Sequence, residues 1–160
     1  MSLEQLNIVA SFFGALTALV IFTKWKNQKG SEVIAIEARE IFNLIERIPK
    51  YSAKVLEDML SMSIHGKVPN DFDTQRFNTF RDVNVEILKR LKLIGFKNNH
   101  KDTIKLINQF EESYKNFSEF YHQSNPIIMD VMLSCEANYK DSFTSLKNEM
   151  YSYALYIKTI

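Results

Sequence analysis

The feature that most constrains this chain is an uncharged stretch near its start. Between Gln5 and Thr23 no side chain carries a charge, and three lysines then follow at Lys24, Lys26 and Lys29. A helix of this length is long enough to cross the hydrocarbon core of a bilayer, because each residue adds 1.5 Å of rise. The stretch therefore predicts a single transmembrane helix. A buried core helix of a globular domain is the alternative.

The residues around the stretch predict that it is retained and oriented. A secretory signal begins with basic residues, whereas here the basic residues follow the apolar run. Trp25 lies where an aromatic side chain is expected at a membrane interface, and the lysine excess predicts a cytoplasmic C-terminal side. We therefore expect residues 1–29 to be the transmembrane helix with its basic flank, and residues 30–160 to be a cytoplasmic helical domain. This is the layout of a single-pass protein of the cell (inner) membrane.

Small residues recur within the stretch. Ala10, Gly14 and Ala18 are four residues apart, which places them on one face of a helix. Small residues at this spacing let two backbones approach closely in lipid. The pattern predicts packing between copies of the membrane helix. The alternative is that alanine and glycine are simply common in such helices.

Composition limits the remainder of the chain to one helical domain. Glycine and proline are scarce, at 4 and 3 residues, which disfavours a turn-rich β architecture. Cys135 is the single cysteine, so no internal disulfide can form. The formal net charge of +1 provides no global field that would recruit duplex nucleic acid. The expected fold class is all-α, with an N-terminal transmembrane helix followed by a cytoplasmic helical bundle.

Apolar residues recur at helical spacing in five segments of the predicted domain. These stripes run from Ile34 to Ile48, from Val55 to Met62, from Phe77 to Ile94, from Ile104 to Tyr121, and from Ile128 to Ile157. Pro49 and Gly95 mark breaks, Asp73 is a candidate N-cap, and Asn125-Pro126 is typical of a helix start. The long final helix carries tyrosines on several faces, which predicts contact with a partner or a homo-oligomer.

The sequence carries no recognisable catalytic motif. There is no G-x-S-x-G, no P-loop and no H-E-x-x-H. His65, His100 and His122 are not at metal-ligand spacing, and a zinc site needs three or four converging ligands. Cys135 lies on an apolar stripe and is expected to be a buried thiol. We therefore expect no enzyme activity, no metal and no cofactor.

One connection between predicted helices is rich in cationic and amide side chains. It precedes a helix N-terminus, where free N–H groups and the helix dipole favour anions. Arg76 and Arg81 on the preceding helix could add positive charge. The alternative is an ordinary solvated loop. The residues predicted here to bind an anionic ligand are Lys97, Asn98, Asn99, His100 and Lys101.

The overall layout, from residue 1 to residue 160, resembles the small membrane effectors that accompany type III CRISPR systems. That resemblance rests on the N-terminal membrane helix, the helical domain and the missing enzyme motif. It implies antiviral defence, with a cyclic oligoadenylate as the ligand of the helical domain and an oligomer whose membrane helices perturb the bilayer. A membrane-tethered scaffold, or adaptor, that binds a protein partner through its aromatic final helix is the alternative.

Overall fold

The structure, a computed structural model, describes residues 3–65, 74–97, 100–122 and 128–155, without the side chains of residues 3–12, 15, 96 and 97. Over these residues the chain is all-helical, as predicted. The helices are α1 (Leu3–Ile45), α2 (Ile48–His65), α3 (Thr74–Lys97), α4 (Lys101–Glu119) with a short 3₁₀ turn at Phe120–His122, and α5 (Met129–Ala154).

The predicted break at Pro49 is confirmed. α1 ends at Ile45, a turn follows at residues 46–47, and Pro49 lies in the first turn of α2. Proline has no N–H to donate and clashes with the preceding turn, so a helix stops just before it. The Glu46 and Arg47 amides donate to carbonyls of the last turn of α1, at 3.1 and 3.0 Å. α1 itself continues without interruption through Gly30 to Ile45.

Two ion pairs define how α3 packs against the first two helices. Arg76 Nη1 lies 3.1 Å from Asp58 Oδ1 of α2, and Arg90 Nη1 lies 2.8 Å from Glu37 Oε2 of α1. The early part of α3 therefore lies beside α2 and its later part beside α1. This order makes α3 antiparallel to the rod formed by α1 and α2.

With α1 and α2 counted as one rod, contacts between α4 and α5 complete an up-and-down bundle of four. The Thr103 hydroxyl near the start of α4 donates to Glu149 Oε1 near the end of α5. Further along, Ser113 Oγ lies 2.6 Å from Ser142 Oγ. α4 and α5 are thus antiparallel, and α5 also packs along α1.

Tyr139 of α5 lies at the centre of the core. Its ring stacks on Phe117 with centroids 5.6 Å apart and meets the edge of Phe80 at 5.8 Å. Its hydroxyl donates to Asn84 Oδ1 at 2.5 Å, and Asn84 Nδ2 donates to the Phe80 carbonyl at 2.8 Å. Burial raises the pKa of Tyr139 well above its ordinary value. Aromatic side chains from α3, α4 and α5 thus form the centre of the core.

The predicted transmembrane helix is wrong. Within the residues that the structure describes, no helix is long and apolar enough to cross a membrane. The single-pass assignment and the inner-membrane localisation that depended on it are corrected with it. The prediction rested on the absence of charge from Gln5 to Thr23, but this run also includes the polar residues Gln5, Asn7, Ser11 and Thr17. Uncharged is a weaker condition than apolar, because a polar side chain also loses hydration in hydrocarbon.

Other local predictions meet mixed outcomes. Ile104 was expected on the buried stripe of α4, but it is exposed and Thr103 is buried instead. Ile128 is also exposed, immediately before α5 begins at Met129. The predicted caps and helix starts at Asp73, Asn125 and Pro126, and the final stripe position Ile157, lie outside the described residues.

Candidate functional site

The apolar residues of the first half of α1 are exposed. The first buried side chain of this helix among those described is Ile34. Before it, seven large apolar side chains between residues 13 and 25 are exposed by 42–63%. We call residues 13–25 the apolar segment. Its exposed large residues are Phe13, Leu16, Leu19, Val20, Ile21, Phe22 and Trp25.

The apolar segment is apolar on every side. Successive residues of an α-helix are rotated by about 100°. At this rotation the seven side chains point in directions spread around the whole circumference, and no charged residue lies between Phe13 and Thr23. A helix that is apolar all round is normally buried. The segment therefore has the surface of a buried element, although none of the described residues covers it.

The exposed area is large for a single chain. Seven such side chains, about half exposed, present on the order of 700 Å² of apolar surface, since each carries roughly 150–250 Å². The largest apolar patch of an ordinary monomer covers roughly 300–600 Å², and each partner of a standard interface buries about 800 Å². The apolar segment is thus large enough to form most of an interface.

Polar groups of the segment are satisfied within the helix. The Thr17 hydroxyl donates to the Phe13 carbonyl at 2.8 Å, and the Thr23 hydroxyl donates to the Leu19 carbonyl at 3.0 Å. These bonds turn the hydroxyls toward their own backbone. Approach of an apolar partner would therefore leave neither threonine hydroxyl without a hydrogen bond.

Basic residues bound the segment on its C-terminal side. Lys24 and Lys26 are exposed. Lys29 Nζ donates to Glu32 Oε2 at 2.8 Å, and this hydrogen bond raises the pKa of Lys29. Lys24, in the last turn of the segment, and Lys26, just after it, therefore place positive charge at the end of the segment nearer the bundle.

The second half of α1 fixes the direction of the segment. Phe42 contacts the ring of Tyr151 on α5, with centroids 5.8 Å apart, and Lys147 Nζ lies 5.3 Å from the centre of the Phe42 ring. Lys147 also forms an ion pair with Glu46. Because α1 is one continuous helix, these contacts orient the apolar segment relative to the bundle.

The structure does not bring Arg76 and Arg81 to the predicted anion-binding connection. Lys97 is the last residue of α3, and Arg76 lies 21 positions earlier on this helix, about 31 Å away along its axis. Arg76 is paired with Asp58, and Arg81 Nη2 lies 3.3 Å from its neighbour Asp82. Both arginines thus belong to the other end of the bundle.

The rest of the predicted anion site is only partly described. His100 and Lys101 are exposed at the start of α4. The side chain of Lys97 and the residues Asn98 and Asn99 lie outside the described residues. Binding of an anionic ligand at this connection remains a prediction.

The small residues predicted to support helix packing lie within or next to the apolar segment. Gly14 and Ala18 are exposed, and a Cβ added at Gly14 would meet nothing within 4 Å. The side chain of Ala10 lies outside the described residues. Their predicted role in a membrane is lost with the transmembrane assignment, whereas close packing of the helices remains a prediction.

Among the grooves on the described bundle surface, two lie against α5. One, of about 390 Å³, lies between α2 and α5 and is lined by apolar side chains such as Leu56 and Leu60, beside the ion pair of Glu136 and Lys140. The other, of about 360 Å³, lies between α4 and α5 and is lined mainly by residues with polar side chains, such as Gln109, Asn116 and Asn138. Cys135, expected to be buried, is half-buried on the wall of this second groove. Among the described residues, no three histidine, cysteine, aspartate or glutamate side chains form a group that could hold a metal ion.

Sequence reasoning missed a buried polar cluster near the start of α4. Thr103 lies between Glu149 and Tyr153 of α5, 3.0 Å from the Tyr153 hydroxyl and hydrogen-bonded to the Glu149 carboxylate. All three residues are buried. The sequence hinted at the burial of Glu149, because this residue directly precedes the stripe residue Met150. A lone glutamate in a helix is usually solvated, however, so its burial was not predicted. The cluster joins the start of α4 to the end of α5.

Comparison of the chain with protein-family models, curated proteins and solved structures gives no match. The resemblance to CRISPR-associated membrane effectors is therefore corrected: the comparisons provide no support for antiviral defence or for cyclic oligoadenylate binding. Of that expectation only the all-helical fold remains.

Proposed function

We propose that this chain is a helical scaffold, or adaptor, that binds a protein partner through the apolar segment of α1. The observation that carries the proposal is the exposure of seven large apolar side chains ahead of the bundle core. Removal of apolar surface from water stabilises association by about 25 cal/mol per Å² before the costs of binding are subtracted. The bundle provides a folded base from which the segment is presented.

The surface suits a helix better than an extended peptide. The segment is itself helical, so its backbone donors and acceptors are used internally and are not offered to a neighbouring strand. Side chains spread along the helix instead form ridges and grooves into which another helix can pack. The partner surface is therefore expected to be an apolar helix or a groove between helices.

Site-specific photo-crosslinking in living cells tests the proposal. A photoreactive amino acid is placed in the full chain at Phe22, which is 57% exposed, and as a matched control at Leu93 of α3, which is equally exposed. We expect irradiation at position 22 to give a discrete protein adduct, identified by mass spectrometry. The control should give a weaker or diffuse signal because Leu93 is an isolated apolar residue on the bundle.

A second variant checks that the adduct depends on the segment. Leu19→Lys introduces a charge beside position 22 without touching the bundle core, since Leu19 is exposed. It should abolish the adduct, whereas Val85→Lys on α3 should leave it unchanged. Equal crosslinking at positions 22 and 93, or a position-22 adduct that survives Leu19→Lys, would exclude the segment as the binding element.

A further inference from the structure

The groove between α2 and α5 has an apolar wall. Ala53, Leu56, Leu60 and Ile64 of α2 follow one another at steps of three and four residues, so they share one face of the helix. None of the four is buried, and Ile64 is 70% exposed. All four line the groove, whose volume is about 390 Å³. This wall therefore offers contact to an apolar group that enters the groove.

The opposite wall of the groove carries a nearly buried carboxylate. Glu136 of α5 is 5% exposed, and its Oε1 lies 2.6 Å from the Nζ atom of Lys140, one turn later. No hydroxyl, amide or backbone group among the described residues donates to that oxygen. A carboxylate has about four acceptor sites, so a single ammonium does not satisfy it. Glu136 is thus paired but incompletely hydrogen-bonded.

Lys140 is a partner that a ligand can replace. Its side chain is 53% exposed and long enough to keep its ammonium in water. Ion pairs of such exposed lysines contribute little stability, because holding the flexible side chain in one geometry costs entropy. An ammonium group carried by a ligand can therefore take the place of Lys140 beside Glu136.

We propose that this groove binds a small molecule that has an apolar body and a primary ammonium group. The body packs on Leu56, Leu60 and Ile64, and the ammonium pairs with Glu136. The groove volume falls within the range of roughly 300–1,000 Å³ that is usual for small-molecule sites. Such sites combine apolar walls with a few polar groups that orient the ligand.

The charge of the groove favours a cation over an anion. Two carboxylates, those of Glu57 and Glu136, line it together with one ammonium, that of Lys140. His65 also lines it, and its Nδ1 donates to the Ser61 carbonyl at 2.9 Å. An anionic ligand would have to take Lys140 away from Glu136 and leave a nearly buried carboxylate without its cation, which is costly. A cationic ligand keeps that carboxylate paired.

Three ligands with the same alkyl chain separate the effect of charge from that of apolar contact. Hexylamine, hexanol and hexanoate are titrated into the full chain at neutral pH, and binding is measured by ligand-detected NMR. Hexylamine should bind about tenfold or more tightly than hexanol, because it gains a charge-assisted hydrogen bond to Glu136. Hexanoate should bind most weakly of the three.

Variants of the ion pair test which group receives the ligand. Glu136→Gln should abolish the preference for hexylamine over hexanol. Lys140→Met should instead strengthen hexylamine binding about two- to fivefold, because the competing ammonium is removed. Asp141→Asn is the matched control, since this carboxylate lines the other groove of α5, and it should change neither affinity. Circular dichroism should show that the variants keep their helix content.

The outcomes also separate this site from the apolar segment. Hexylamine that binds no more tightly than hexanol, or not at all, overturns the proposal. So does weaker hexylamine binding in Lys140→Met, a result that remains decisive even if Glu136→Gln fails to fold. Leu19→Lys, which introduces a charge into the apolar segment, should leave the preference for hexylamine unchanged. The ligand site therefore stands or fails independently of the scaffold function.

Discussion

The two halves of α1 place apolar residues in opposite environments. Residues 13–25 are exposed at each large apolar position described, whereas Ile34, Ala38, Ile41 and Ile45 are 0–3% exposed in the bundle. The buried residues are spaced by three or four, with Glu37, Glu40 and other polar residues between them on the remaining faces. The first half lacks that alternation.

The apolar patterns of the two halves of α1 specify different things. A one-sided stripe fixes which face of a helix turns inward and is satisfied by one neighbouring layer. An apolar surface on all sides specifies burial but leaves the neighbour undetermined. α1 therefore combines a half that is buried in its own bundle and a half whose large apolar residues, where the structure describes them, are exposed.

Truncation of one phenylalanine in each region should give the largest contrast. Phe117→Ala removes a fully buried ring that stacks on Tyr139 and should lower the free energy of unfolding by about 3–5 kcal/mol. Phe22→Ala removes an exposed ring and should change it by less than about 0.5 kcal/mol in dilute protein. Urea denaturation followed by circular dichroism measures both. Similar losses would mean that the segment is packed within the monomer.

The hydroxyl of Tyr139 should make the next largest contribution to the free energy of unfolding. Tyr139→Phe leaves the buried Asn84 Oδ1 without this donor and should cost about 1–3 kcal/mol at neutral pH. The size of the loss should also depend on pH, because burial holds the pKa of Tyr139 well above its ordinary value in the folded chain.

The sign of that dependence follows from proton binding. Above about pH 10 the tyrosine of the unfolded chain loses its proton, while Tyr139 in the bundle keeps it. The folded state then binds more protons, so the stability of the unmodified chain falls as pH rises. Phenylalanine has no proton to lose, and the gap between variant and parent should narrow above pH 10. A gap that widens there would contradict the burial of this hydroxyl.

The ion pairs of Arg90 should contribute less. Arg90 donates to Glu37 on α1 and to Glu86 on its own helix, both at 2.8 Å. The side chains of Arg90 and Glu37 are only 28% and 22% exposed, so Arg90→Met should cost about 1–2 kcal/mol. Arg81→Met is the matched control, because the Arg81–Asp82 pair is half or more exposed and such pairs contribute about 0–1 kcal/mol. Equal losses of stability for the two variants in thermal denaturation would show that the Arg90–Glu37 ion pair does not stabilise the contact between α1 and α3.

Much of the bundle could be predicted because its helices carry one-sided stripes. Spacing alone placed six residues of α3 on one face, and all are buried except Val83, which is half-buried: Phe77, Phe80, Val83, Ile87, Leu91 and Ile94. Polar core residues escaped this reasoning. Thr103 and Asn84 are buried because specific partners satisfy them, and a partner distant in the sequence leaves no periodic signal.

The candidate site was located but misinterpreted. Every large apolar residue of the uncharged run that the structure describes is exposed. The environment of this run could not be predicted from its sequence. The hydrophobic effect favours removal of apolar side chains from water but does not specify whether lipid or protein covers them. The predicted anion-binding connection at residues 97–101 shows a second limit, because residues on one helix need not lie near each other. Arg76 and Lys97 share a helix in the sequence, yet about 31 Å of that helix separates them.

Alanine substitutions at two glycines, one in each region, should have the smallest effects on stability. Gly95 lies near the end of α3, where an added Cβ would meet Ile107 Cδ1 at 3.6 Å, an ordinary contact. Gly95→Ala should therefore raise the free energy of unfolding by about 0.5–1 kcal/mol, because alanine loses less backbone entropy in a helix than glycine.

Gly14→Ala removes the same backbone freedom in a different setting. Its new methyl group meets nothing in the monomer, so the unfolding of the bundle in dilute protein should not change. Circular dichroism should instead show equal or greater helix content, since alanine is the better helix former. A change in bundle unfolding on Gly14→Ala would instead show that the first half of α1 is coupled to the core.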